Sequence, residues 1–278
     1  MRASEWIQLG SALIFAIASW VTPLTSRPLP LRRRWIITAL ATFAAVTIAL
    51  AHLAASAFTP DHFSVLLDCL TVALFLIPYW QTGQFFLAPD HAIENRLLAF
   101  DRRLLPRISN TSGTGRNPIG FILEMAYLSC YPLVPLGLAA IYAAGLRSRV
   151  NGFWLVLLIA TYICYAVTPF VPAFPPRSLV NDKPATVTPP ANKGRLFNRW
   201  ILKHGSIHAI SFPSAHVASA FAIAFVLLHY APHLGAAFLI IAVMISLGAV
   251  IGRYHYALDV ILGAVTALIV FLACYRHL

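Results

Sequence analysis

A histidine and an aspartate near the C-terminus have the spacing of a catalytic pair. His255 and Asp259 are four residues apart, and on a helix this spacing places both side chains on one face, where the carboxylate can reach the imidazole. A carboxylate bonded to one ring nitrogen fixes the tautomer and leaves the other nitrogen basic. His255 is therefore predicted to offer a lone pair, with Asp259 as its orienting partner.

A second histidine lies at the predicted start of a helix, in the segment Phe212-Pro213-Ser214-Ala215-His216. Proline suits the first helical turn and Ser211 or Ser214 can cap it, which leaves free backbone N–H groups beside a positive helix end. An anion would bind there. His216 can donate a proton to a leaving group.

Two arginines complete the predicted site. Arg177, Arg253 and the helix start at Ser214 can neutralise a phosphoryl group. No set of residues with the spacing of a divalent-metal site is visible. The residues together outline a metal-free phosphoryl-transfer site, for which we expect no cofactor and no metal ligand.

The topology around these residues predicts that the histidines meet. No Asp, Glu, Lys or Arg occurs from His204 to Gly252, a stretch that is too long for one membrane crossing and about right for two. The segment from His229 to His233 contains a proline and supplies the turn. The helix that begins at Pro213 and the helix that begins at His255 then start at the same membrane face.

The composition requires a membrane protein. Of the 278 residues, 59% are hydrophobic and only 10% are charged, whereas soluble domains carry about a quarter of their residues as charged ones. We predict an all-α polytopic membrane protein with about eight transmembrane helices. The predicted spans are 6–22, 35–58, 63–87, 118–144, 153–171, 213–230, 233–251 and 255–275.

Two long segments between the predicted spans, and two acidic residues within spans, are also distinctive. Residues 89–117 read as an amphipathic helix in the interface followed by a Ser/Thr/Gly turn, and residues 172–212 as a polar, proline-rich lid over one membrane face. Asp68 and Glu124 lie within spans and are expected to bond neighbouring helices, Glu124 alternatively to line the site.

The charge balance points to lipid partners. The chain carries 20 basic and 9 acidic residues, a formal net charge of +11, which in a membrane protein indicates loop anchoring and contact with anionic lipid rather than nucleic acid. All four cysteines lie in apolar runs, so disulfides and metal thiolates are not expected. We expect an integral protein of a bacterial inner (plasma) membrane, with both faces open as the side of the active site and no oligomeric state predicted.

Three segments carry a resemblance to a known family. Pro213-Ser214-Ala215-His216 and His255-Tyr256-Ala257-Leu258-Asp259 resemble the Pro-Ser-Gly-His and His-x-x-x-Asp motifs of the type-2 phosphatidic acid phosphatase superfamily, which shares its site with vanadium haloperoxidases. The segment from Pro172 to Arg177 resembles the Pro-Pro-Arg version of its first motif. The pattern is similar in particular to the inositol-phosphorylceramide-synthase-like branch, as are the residues from Glu124 to Tyr127.

The resemblance, over about residues 90–275, implies a division of the chain and a set of roles. Residues 1–60 would be a two-helix N-terminal extension and residues 61–278 a six-helix lipid phosphatase or phosphotransferase core. His255 would become phosphorylated, Asp259 would orient it and His216 would protonate the leaving group. Phosphate would be held by the remaining three predicted site residues, Arg177, Ser214 and Arg253.

The chain departs from the family pattern at two positions. The usual first motif has a lysine seven residues before its arginine, where this chain has Phe170, and the usual third motif has an arginine six residues before its histidine, where this chain has Ala249. Arg253 replaces that arginine by position only.

Several functions are compatible with these residues. The first is a metal-independent lipid phosphatase, a phosphoric ester hydrolase in which water takes the phosphoryl group from the histidine, with phosphatidic acid, another phospholipid or an isoprenyl phosphate as substrate. The second is a phosphotransferase in which an alcohol takes it, such as an inositol-phosphorylceramide-synthase-like head-group transferase. The third is a proton-coupled transporter, which inverted repeats would support; none is found.

Overall fold

The structure, a computed structural model, describes residues 1–21, 28–106, 118–180, 192–207 and 209–278. These residues are predominantly helical, and none of them lies in a β-strand. The turn predicted at the end of the 89–117 loop and the middle of the predicted lid lie outside the described residues. By contacts the chain divides into two compact units, Met1–Leu87 and Ala88–Leu278.

Buried glutamine side chains hold the first unit together. Its helices are α1 (Ala3–Val21), α2 (Leu31–Leu53), α3 (Pro60–Leu74) and α4 (Ile77–Phe85). Gln81 of α4 donates to the carbonyl oxygens of Ala12 in α1 and Ile37 in α2, each at 3.0 Å. Gln8 of α1 donates to the carbonyl of Thr71 in α3 at 2.8 Å. These bonds satisfy amide N–H groups that would otherwise be unpaired in an apolar surrounding.

The extension over residues 1–60 and the core over residues 61–278 stay predictions, and the division by contacts falls after residue 87. The physical reason is the packing of α3 and α4 on the first two helices, through the glutamines and through Arg2, whose Nη1 lies 3.0 Å from Asp68 Oδ1. Asp68 thus pairs with the residue that immediately precedes α1.

The second unit contains the remaining helices. They are α5 (His91–Leu104), α6 (Pro118–Leu128), α7 (Leu133–Ala143), α8 (Val150–Val167), α9 (Pro176–Val180), α10 (Lys193–Gly205), α11 (Ala215–Tyr230), α12 (Pro232–Ile251) and α13 (Ala257–Cys274). α11 packs against α8, α12 and α13. α11 is apolar on nearly all sides and most of its residues from Ala215 to Leu227 are buried, as is typical of a helix that other helices surround. Its first turn therefore lies inside the bundle.

The all-α polytopic membrane fold is confirmed. Within the described residues, six segments are long and apolar enough to cross a membrane: Ala3–Val21, Leu31–Leu53, Pro60–Phe85, Arg147–Phe170, Pro232–Ile251 and Ala257–His277. The other two predicted spans differ in form. The fourth is the pair α6 and α7, bent by 72°, with Pro132 at the N-cap of α7, where proline favours a break. The sixth is α11, a shorter apolar helix of 16 residues.

Two amphipathic helices flank the bundle. Asp90 is the N-cap residue of α5, and its side chain accepts from the N–H groups of Ala92 and Ile93. The buried face of the helix consists of Glu94, Leu97 and Asp101. α10 occupies the C-terminal part of the predicted lid. Because many of its residues are polar, the helical pattern of α10 was not recognised in the sequence, and the whole of 172–212 was interpreted as a loop.

Candidate active site

The first turn of α11 presents His216. Ser214 is the N-cap residue, and its side chain accepts from the N–H of Val217 at 3.5 Å. Ser211 Oγ accepts from the N–H of Ala215 at 3.2 Å. Both serines therefore cap this helix, and His216 is its second residue, beside the positive end of the helix dipole.

The turn between α12 and α13 carries the second half of the site. α12 ends in a Schellman motif, in which Tyr254 N–H donates to the Ala249 carbonyl at 2.9 Å and Arg253 N–H to the Val250 carbonyl at 3.1 Å. The motif needs a left-handed residue, a position that glycine usually fills. Here it is Arg253, with φ 63°, and the outlier itself points to a function for this side chain.

His255 and Asp259 form the pair that their spacing predicts. His255 Nδ1 lies 3.2 Å from Asp259 Oδ1 and 3.3 Å from Oδ2, and the carboxylate also accepts from the N–H of Tyr256 at 3.2 Å. Both side chains are buried. With Nδ1 turned to the carboxylate, Nε2 is the ring nitrogen left for chemistry.

The structure brings the two histidines together. The N–H of Ser214 donates to the carbonyl of Asp259 at 3.0 Å, so the start of α11 is tied directly to the start of α13. Gly263 permits this approach, because a Cβ there would lie 2.6 Å from the Ser214 carbonyl oxygen. The rings of His216 and His255 have centroids 6.0 Å apart and planes at 87°.

Arg177 adjoins the turn that carries His255. Its backbone N–H donates to the Arg253 carbonyl at 2.9 Å, and its guanidinium lies over the ring of Tyr254, with Cζ 5.3 Å from the ring centroid. Its Nη1 also donates to the Tyr254 carbonyl at 3.5 Å. The charge of Arg177 lies within electrostatic reach of His216.

Arg253 has an acidic neighbour that the sequence analysis missed. Asp101 of α5 is buried, accepts from the N–H of Ala257 at 2.9 Å, and lies within electrostatic reach of Arg253. Burial raises the pKa of Asp101 to about 6, although the Ala257 N–H and the Arg253 charge oppose this shift. Burial lowers the pKa of the Arg253 guanidinium, and Asp101 counteracts that effect. Within the described residues, Arg253 Nε is buried without a hydrogen-bond partner.

Aromatic rings form a wall beside the histidines. The rings of Tyr127 and Tyr131 lie 6.0 and 5.8 Å from the ring of His216, both nearly perpendicular to it. Tyr127 also stacks on Tyr254 at 4.2 Å and 5°. Of these three rings, the sequence analysis named only Tyr127, as the last residue of the segment from Glu124 to Tyr127, and gave it no role.

The donor set is not that of a metal centre. In the described ranges no group of three or more His, Cys, Asp or Glu side chains could hold a metal ion. The arrangement offers two imidazoles, a capped helix start and two guanidinium groups. The imidazoles can transfer protons, and the helix start and the guanidinium groups can bind an anion.

Part of the chain matches a model of a known protein family. Residues 95–273, which include all six predicted site residues, match the PAP2 superfamily. Searches among curated proteins and among solved structures found no match. The family supports a phosphatase-like function on lipid phosphate and, with the apolar helices, an integral membrane protein. With nearly two-thirds of its length matched, the chain belongs to the PAP2 superfamily, the type-2 phosphatidic acid phosphatases.

Proposed function

We propose that this protein cleaves or transfers a lipid phosphate ester through a phosphohistidine on His255, without a metal. The observation that carries the proposal is the pair of imidazoles 6.0 Å apart, one of them held by Asp259 and the other in the first turn of a capped helix. A phosphoryl group that bridges them meets a nucleophile on one side and a proton donor on the other.

In the first step the lone pair on Nε2 of His255 attacks phosphorus. The bond between phosphorus and the ester oxygen breaks, and the leaving oxygen takes a proton from His216. Asp259 accepts a hydrogen bond from Nδ1–H of His255 and stabilises the positive charge that the ring acquires. The negative charge of the bound phosphate favours the protonated form of His216 that this step requires.

In the second step His216 takes a proton from an incoming hydroxyl, whose oxygen attacks the phosphohistidine. The phosphorus–nitrogen bond breaks and His255 is restored. Water gives a phosphatase, for which phosphatidic acid and isoprenyl phosphates are our proposed substrates. A second alcohol gives a phosphotransferase, and transfer of a head group, as in the inositol-phosphorylceramide-synthase-like branch, is the second form of the proposal.

Three groups are proposed to hold the phosphate oxygens. The start of α11 at Ser214 offers backbone N–H groups and a positive helix end. Arg177 supplies a guanidinium next to the catalytic turn. Arg253 supplies a buried Nε–H that has no partner among the described residues, and an anion would satisfy it.

Phosphate release from a panel of phospholipids and isoprenyl phosphates, measured on purified protein in detergent, tests the proposal. His255→Ala and His216→Ala should abolish or nearly abolish turnover. The matched control is His229→Ala, at the far end of the same helix, about 20 Å from His216 by the helical rise, which should retain activity. A His255→Ala enzyme that still turns over contradicts the mechanism. Labelled lipid phosphate with and without added alcohols separates hydrolysis from transfer.

A further inference from the structure

Tyr254 links Arg177 to a buried polar cluster that takes no part in the proposed chemistry. Its ring stacks on Tyr127, and the guanidinium of Arg177 lies 5.3 Å from its centroid. Gly252 makes room for the ring, because a Cβ there would lie 2.5 Å from Tyr254 Cε2. The orientation of Tyr254 is therefore fixed by its neighbours.

The hydroxyl of Tyr254 donates to Oε2 of Glu124, a carboxylate with no solvent exposure. The same carboxylate accepts from Asn198 Nδ2 at 2.6 Å and Arg195 Nη1 at 3.3 Å, both on α10. Burial raises the pKa of Tyr254 and Glu124 adds to the effect, so the hydroxyl remains a donor. A buried carboxylate that loses one of its donors is costly, which makes this cluster rigid.

We propose that Tyr254 and Glu124 are positioning residues for Arg177, in an enzyme of the proposed function. Glu124, held by α10, fixes the ring of Tyr254, and the ring face together with the Tyr254 carbonyl fixes the plane of the guanidinium. A planar guanidinium binds phosphate well only in a defined orientation. Neither Tyr254 nor Glu124 touches the substrate.

Orthovanadate affinity of the purified protein, read as a shift in thermal unfolding temperature, tests this without any turnover. Tyr254→Leu removes the ring face and should weaken vanadate binding about tenfold, equivalent to ~1.4 kcal/mol and within the range of a desolvated cation–π contact. In an Arg177→Lys background the same change should have little further effect, because the residue acts through Arg177. The KM for lipid phosphate should rise more than kcat falls, with the pH profile unchanged.

A matched control exists within the same unit. Arg147 Cζ lies 5.3 Å from the centroid of the Tyr142 ring, which is the same distance as between Arg177 and the Tyr254 ring. Nearby, Arg149 donates to the carbonyl of Leu278. Tyr142→Leu should leave vanadate affinity unchanged.

Tyr254→Phe covers the case in which Tyr254→Leu does not fold. It keeps the ring and removes only the bond to Glu124, and we expect about threefold weaker vanadate binding that does not add to the effect of Glu124→Gln. Equal weakening by Tyr254→Leu with and without Arg177 would overturn the inference, as would unchanged vanadate affinity in a folded Tyr254→Leu protein. Failure of the proposed function shows differently, as a wild-type protein that binds vanadate through Arg177 but turns over no lipid phosphate.

Discussion

Replacing Arg253 with glycine separates the backbone strain of this residue from the charge it carries. A residue other than glycine in the left-handed region costs about 1–2 kcal/mol, and Arg253 has φ 63°. Glycine relieves that cost but adds about 0.4–1 kcal/mol of unfolded-state entropy. The net gain from the backbone is therefore roughly 0.5–1 kcal/mol, or about 2–3 °C in unfolding temperature for a unit of this size.

The neighbouring acid sets the conditions of the measurement. At pH 7 the loss of Arg253 also removes the charge that favours ionised Asp101, which counteracts the gain. At pH 5 Asp101 is largely protonated, because its pKa lies at about 6. The effect of the substitution on stability then comes mainly from the relief of backbone strain. We expect Arg253→Gly to unfold at the same temperature as wild type or a few degrees higher at pH 5, in a detergent thermal-unfolding assay.

Activity should move in the opposite direction. If Arg253 Nε–H binds the phosphoryl oxygens, its loss should lower kcat/KM by about 10²–10³, the range for removing one donor aimed at transition-state charge. Arg253→Lys keeps the charge and the strained φ and serves as the control. Full activity in Arg253→Gly would show that this side chain is only a partner of Asp101, and a fall of many degrees at pH 5 would refute the assignment of strain.

Three further outcomes follow from the structure. Because the pKa of Asp101 is raised from its ordinary 3.8 to about 6, the folded state loses stability as the pH rises from below 4 to above 6, by at most about 3 kcal/mol before solvent screening reduces it. Asp101→Asn, which keeps an acceptor for the Ala257 N–H, should remove that slope in thermal unfolding and be more stable than wild type at pH 7.5. Gly263→Ala should push α11 away from α13, because the added Cβ would lie 2.6 Å from the Ser214 carbonyl oxygen, and we expect at least a tenfold loss of phosphate release. Gly10→Ala, with open space around it, should leave activity unchanged. A fully active Gly263→Ala variant would show that the two helices can separate without disturbing the site. Vanadate should inhibit and EDTA should have little effect on phosphate release, and inactivation by EDTA that added metal restores would contradict the metal-free scheme.

Short-range spacing accounts for the part of the site that the sequence could predict. The four-residue interval between His255 and Asp259 predicts that the two side chains meet, and they do. His255 lies two residues before α13, however, and Asp259, the third residue of that helix, reaches back to it. The charge-free stretch from His204 to Gly252 predicts a hairpin, and the hairpin places His216 near His255. In both cases the inference needs only the period of a helix and the thickness of a bilayer.

Contacts between distant segments account for what the sequence could not predict. Asp101 was not identified because its role comes from the N–H of Ala257, 156 positions further along the chain. α10 was taken for loop because its buried side, with Arg195 and Asn198, is polar and pairs with Glu124. A polar face reads as solvent-exposed until the partner that it satisfies is known.

The packing of α12 gives a physical reason for the departure from the family's third motif. The position that usually carries an arginine holds Ala249, which is fully buried against Tyr127 and Tyr254. Its carbonyl accepts from the N–H groups of both Tyr254 and His255, so the residue supports the turn that carries His255. A long cationic side chain there would displace the stacked rings. A guanidinium four positions later, at Arg253, leaves that stack intact and lies at the backbone turn itself. There the residue must adopt a left-handed conformation, which destabilises the fold. The stack in turn supports Arg177. On this reasoning Ala249→Arg should not rescue Arg253→Gly, because the restored cation would disrupt the Tyr254 ring on which Arg177 depends; recovery of phosphate release in the double variant would contradict it.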